Sequence, residues 1–239
     1  MELSDYLTAI TRESAALADA AERAGLDAPV PSCPGWDVGD LVAHVGEVQQ
    51  WARITVEQRA TERISRRTLP GAPGGPERVP WFRGQAASLV AVLAATPVDA
   101  RVWSWTDDDT AQFWSRRQAN EAAVHRWDAE LAAGAPATID AALAADGVDE
   151  RLGWLPARAD LAGAGETVHL HCTDTNGEWF VTLSPSGSTV ERVHAKGDVA
   201  ARGAASDLDL FVWGRVAPTD LDVFGDAALL ARFQELISF

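Results

Sequence analysis

The feature that most constrains the fold is a change of period along the chain. Up to about residue 145 apolar residues recur at spacings of three and four, and beyond Gly163 they alternate singly. The first pattern marks helices that bury one stripe, and the second marks strands with one buried face. Ser4 is placed to cap a helix running to Ala24 and ending at Gly25, with Leu7, Ile10, Leu17 and Ala21 near one face. A proline-rich turn, Pro29 to Gly35, precedes a second helix capped by Asp37, with Asp40 at the capping-box position. Its stripe of Val38, Leu41, Val42, Val45, Val48 and Trp51 is the clearest in the sequence. Leu69 to Pro80 reads as a loop. A third helix is expected over Trp81 to Ala95, with Leu89, Val90 and Leu93 inward. A fourth runs from Thr110 to Ala133 and stops at Gly134, and a shorter piece spans Ile139 to Ala145.

After Gly163 come three alternating segments, GETVHLHCTD, EWFVTLSP and STVERVHA. Asn176-Gly177 and Pro185-Ser186-Gly187 separate them, as in a meander with a hairpin at Asn-Gly. Asp198 to Gly203 adds a further strand. Ser206 caps a short helix through Trp213, and Ala227 to Ile237 forms the last one. The expected fold class is therefore α plus α+β: a four-helix bundle over residues 1–157, then a small α+β domain with an antiparallel sheet over 158–239.

Charge excludes some functions. The chain of 239 residues carries 20 basic against 35 acidic side chains, a net charge of −15. Its richest basic stretch, Arg59 to Arg67, is diluted by Glu57 and Glu62. No basic stripe is present to engage nucleic acid or an anionic membrane surface. No apolar run approaches the roughly 20 residues that span a bilayer. Acidic Glu2 and Asp5 stand where a signal peptide carries positive charge. Cys33 and Cys172 are too few for a disulfide framework. A cytoplasmic monomer acting on a small molecule is expected.

Glu121 and His125 stand four apart on the fourth helix, hence on one face. His44 sits within the apolar stripe of the second, where an imidazole needs a partner or an ion. Two imidazoles and one carboxylate from facing helices suit a borderline divalent metal with open coordination positions. Spacing alone leaves two other accounts open: a surface ion pair for Glu121–His125, and a hydrogen-bonded core histidine at His44.

Three separated stretches carry a resemblance. VPSCPGWDVGDLVAHVGEVQQWA resembles the signature of the DinB-like metal-binding bundles, in the branch containing mycothiol-dependent maleylpyruvate isomerase. RRQANEAAVHRWDAELAAG resembles that branch's second signature. HLHCTDTNGEWFVTLSPSG with AKGDVAARGAASDLDLFVWGR is similar to its small C-terminal domain, itself sterol-carrier-like. The resemblance implies a DinB-like bundle whose metal, usually zinc, is held by His44, Glu121 and His125. It also implies mycothiol as thiol cosubstrate and an isomerase that adds a thiol to a cis double bond and releases the trans isomer. A mycothiol S-transferase, or a binding protein with a structural metal, are the competing implications.

For a dicarboxylate substrate an arginine is needed, and Arg215 in the shared FVWGR segment is the catalytic candidate. Favourable charge at a helix C-terminus is its alternative role. Cys33 is expected as a small buried residue at a tight turn, with a reactive thiol as its alternative, Trp36 as packing, and Asp128 as half of a surface pair, with an acceptor behind His125 as its alternative. His169 and His171, on one face of a strand, are expected on a half-exposed polar sheet face, and His194 carries no signal.

Overall fold

The computed structural model describes residues 1–136, 138–158 and 163–237. It divides into two compact units, Met1–Ala137 and Thr138–Phe239.

The first unit holds four helices: α1 (Leu3–Ala24), α2 (Val38–Glu57), α3 (Arg78–Ala95) and α4 (Ala111–Ala132). The α1 N-cap is Glu2 rather than Ser4, because Asp5 turns back to accept the Glu2 N–H at 2.8 Å. At α2 the expected capping box is present: Asp37 accepts from the Asp40 N–H at 2.7 Å, and Asp40 accepts from the Asp37 N–H at 3.3 Å. Helix α3 begins at Arg78, ahead of the expected Trp81, since Pro80 falls in the first turn, where its missing N–H is no loss. Round the bundle, α1 packs on α3 and α4, and α2 packs on the same two. Val38, Leu41, Val42 and Val45 of α2 meet Leu17 and Ala21 of α1 and Val79 and Phe82 of α3 in one apolar core.

Close approach of α2 and α3 depends on Gly46. A Cβ there would stand 2.2 Å and 2.7 Å from ring atoms of Trp81. Gly46→Ala gains up to about 1 kcal/mol of helix propensity, but overpacking costs about 1–3 kcal/mol. The expected net result is a lower Tm by circular dichroism, and a raised Tm would show that the Trp81 ring swings aside freely.

The second unit contains α5 (Ala141–Gly153), strands β1 (Glu166–Cys172), β2 (Glu178–Ser184), β3 (Gly187–Glu191) and β4 (Val199–Gly203), then α6 (Ala205–Val212), β5 (Asp222–Gly225) and α7 (Ala227–Ile237). Helix α5 is longer than its apolar pattern suggested and packs on α6 within the second compact unit. Ser206 does not cap α6, whose N-cap is Ala204; its hydroxyl accepts from the Ile139 N–H at 2.9 Å.

The sheet has the order β3-β2-β1-β4-β5. The meander β1-β2-β3 is antiparallel as expected, and β4 pairs β5 antiparallel. The β1–β4 pair is parallel, so the sheet is mixed where an antiparallel one was expected. Val168, Leu170, Val181, Leu183, Val199 and Ala201 are buried, and α6 and α7 pack on β1 and β4. His169, His171, Glu178 and Arg202 alternate with them and belong to the other face. Among the described residues no helix is long and apolar enough to cross a membrane.

Candidate metal centre

Helices α2 and α4 bring His44, Glu121 and His125 together. Nε2 of His44 and Nε2 of His125 each lie 3.4 Å from Oε1 of Glu121. The two imidazole rings meet edge to face with centroids 5.2 Å apart. Donors 2.0–2.1 Å from a tetrahedral zinc stand about 3.3 Å apart, so both separations match ligands of one ion. The donor set also fits, with two borderline nitrogens and one carboxylate, fewer than the four groups of a closed structural site. His44 is the most open of the three, its side chain 29% exposed against 15% for Glu121 and 10% for His125.

The groups behind these three fix their orientation. His125 Nδ1 lies 2.8 Å from Oδ2 of Asp128, which is fully buried and not part of a surface pair. An ionised carboxylate can only accept, so Nδ1 carries a proton, and Nε2 is the nitrogen that faces Glu121 and would bind a metal on losing its own proton. The Cys33 thiol donates to the same Asp128 oxygen at 3.6 Å; Cys33 is half-buried. On the other side Arg117, one turn before Glu121, pairs with its Oε2. Arg117, Glu121, His125 and Asp128 thus run along one side of α4 at spacings of four, four and three. Trp36 packs against His44 with ring centroids 4.9 Å apart.

This arrangement concentrates charge. Burial works against ionisation of Glu121, yet the Arg117 guanidinium and the two imidazoles hold it well below the usual carboxylate range. Burial likewise opposes a charged His125, but Asp128 and Glu121 outweigh it and raise the imidazole to about 9. Two carboxylates therefore converge on one imidazole, a field that draws a cation. Beside it, Arg126 bridges Glu13 of α1 at 2.7 Å and Glu130 at 2.5 Å, tying α4 to α1.

The family model described as the mycothiol maleylpyruvate isomerase N-terminal domain matches residues 7–130. That described as the C-terminal domain of the same isomerase matches 126–232. The chain belongs to the mycothiol maleylpyruvate isomerase family. Two crystal structures of mycothiol-dependent maleylpyruvate isomerase, one of them of a mutant, share its fold. The mutant is 17% identical with a TM-score of 0.64 over 93% of each chain, and the other is 14% identical with a TM-score of 0.62 over 90% of each. No curated protein matches the chain.

Within this family fold Arg215 lies in the second unit, just beyond α6. Its guanidinium donates to the Trp213 carbonyl at 2.8 Å, and its N–H bonds to the Leu210 carbonyl. Sequence reasoning passed over Arg117 and misplaced Asp128. The signal available was their helical spacing from Glu121 and His125.

Proposed function

We propose that the chain is a metal- and mycothiol-dependent enzyme of the maleylpyruvate isomerase type, holding zinc on His44, Glu121 and His125. The observation that carries this is the pair of equal 3.4 Å approaches to Glu121 Oε1, backed by the buried Asp128–His125 hydrogen bond. When bound, the ion supplies a Lewis acid that favours the ionised form of a thiol at neutral pH, and the thiol supplies reversible addition across a cis double bond. The chain's own residues hold and orient. Arg117 fixes the Glu121 carboxylate, Asp128 sets the His125 tautomer, and Trp36 backs the His44 ring. His44, the most exposed of the three, borders the open side from which a small substrate enters. Arg215 is the proposed partner of a substrate carboxylate, whose two oxygens a guanidinium matches bidentately. Neither protein cysteine is needed as nucleophile. The chemistry belongs to the cytoplasm, with the chain working as a monomer.

The test is turnover of maleylpyruvate by zinc-loaded protein with and without mycothiol. Isomerisation should require both, vanish on chelation and in His44→Ala, and show a raised KM in Arg215→Ala. Consumption of thiol without isomerisation would move the assignment to S-transfer. Turnover indifferent to chelation and to His44→Ala would overturn the metal-dependent assignment.

A further inference from the structure

The second unit gathers three of the five histidines of the chain on one side of its sheet. His169 and His171 stand two apart on β1, Glu178 is paired with His171 across to β2, and His194 comes from the connection between β3 and β4. The ring centroids are 5.2 Å apart for His169–His194, 6.0 Å for His169–His171 and 6.1 Å for His171–His194. Imidazoles bound to one tetrahedral ion at 2.0–2.1 Å have centroids about 5 Å apart. One ligand atom from each histidine and from Glu178 falls within 4.8 Å of the others.

Glu178 organises two of the rings. Its Oε1 accepts from Nδ1 of His171 and, at 2.8 Å, from Nδ1 of His194, so Nε2 is the lone-pair nitrogen of each. The third ring is the informative one. His169 is only 5% exposed, and its buried Nε2 has no hydrogen-bond partner. A buried polar atom left unpaired is costly, and a metal–nitrogen bond would satisfy it. Gly197 contributes by lacking a side chain: a Cβ there would lie 3.3 Å from the His169 backbone nitrogen and 2.8 Å from the Val199 carbonyl.

The cluster lines a cleft of about 620 Å³ that also receives Lys196, Asp198, Arg202 and Phe224. Lys196 and Arg202 share the lining with Asp198, and Glu178 stands behind the rings of His171 and His194, so charge of one sign is not what the site accumulates. It accumulates imidazole nitrogen. We propose a second metal site, in which His169, His171 and His194 hold a divalent transition-metal ion, with Glu178 orienting the rings and one position open to the cleft.

Zinc content decides the matter in the full chain. Protein stripped with chelator, reloaded with zinc and dialysed is assayed as wild type, His44→Ala, His194→Ala and the double variant. His194 has a side chain 77% exposed, so its removal leaves the sheet intact where removal of buried His169 would not. The expected result is one equivalent fewer whenever His194→Ala is introduced, in the wild-type and in the His44→Ala background alike. Cobalt loaded into His44→Ala should give d–d absorption that His194→Ala abolishes. Unchanged zinc content on adding His194→Ala in both backgrounds overturns the second site. A zinc content unchanged by His44→Ala, with one equivalent still lost on His194→Ala, would count only against the helical centre.

Discussion

Asp128→Ala is expected to weaken zinc binding at the helical centre by roughly 10–100-fold, the usual effect of removing a carboxylate behind a ligating histidine. The cause is local. Asp128 Oδ2 accepts the His125 Nδ1–H at 2.8 Å from a fully buried position, and a water entering the space left by the carboxylate would bring neither its negative charge nor its fixed position. Without it the ring loses the bond that points Nε2 at Glu121, and both tautomers become accessible. Asp128→Asn should fall between the two, because the amide oxygen still accepts the proton but brings no negative charge. Cys33→Ala is the control: its thiol reaches Asp128 only through a 3.6 Å contact, so affinity should stay within about threefold. Competition against a chromophoric chelator, run in the His194→Ala background so that one site is read, measures all three. Wild-type affinity in Asp128→Ala would mean that His125 is held by its packing alone.

That carboxylate also shows what a sequence yields about a site. His44, Glu121 and His125 could be found because each breaks or borders an apolar stripe, and a broken stripe is visible in one dimension. Asp128 and Arg117 break nothing: on paper they are charged residues at ordinary helical spacings, and only tertiary burial makes them partners of the ligands. Glu178 and His194 were invisible for a different reason. They join His169 and His171 through strand register and a connection between strands, and no local spacing records either.

Helices with caps and stripes were legible nearly to the residue, as Asp37 with Asp40 and the last helix at Ala227–Ile237 demonstrate. The hairpin at Asn176-Gly177 was also legible, though not for the usual reason. Neither residue has positive φ; a Cβ at Gly177 would instead lie 2.5 Å from the Trp179 ring and 2.7 Å from Cys172 Sγ. Parallel pairing of β4 with β1 could not be read, because strand direction follows from a connection passing through β2 and β3. Strand β5 is four residues long with one residue half-buried, too short for alternation to register. The place of α5 likewise rests on its contact with α6, remote in sequence.

Trp114→Ala should cost the helical unit about 3–5 kcal/mol, as deleting a large buried aromatic does. Trp114 is fully buried, donates its indole N–H to the Trp103 carbonyl at 2.8 Å, and meets the Trp51 ring edge-on at 5.0 Å and the Trp105 ring at 5.6 Å. Trp51 in turn donates to the Ile64 carbonyl at 2.9 Å. The cluster therefore ties two loops to α2 and α4, about two turns from His44 on one helix and from Glu121 on the other. Alanine leaves a cavity between rings too rigid to collapse into it, and strands the Trp103 carbonyl. At about 2–4 °C per kcal/mol for a chain of this length, the unfolding midpoint of the helical unit should fall by roughly 10 °C. Trp114→Phe keeps most of the volume and loses the hydrogen bond, so about 1–2 kcal/mol is expected. Because the cluster sits on the two helices that carry the ligands, Trp114→Ala should also weaken zinc binding, whereas Trp114→Phe should not. Thermal and urea unfolding followed by circular dichroism, with zinc competition on the same samples, read both effects. A midpoint unchanged in Trp114→Ala would mean that the ring fills space without bracing the helices.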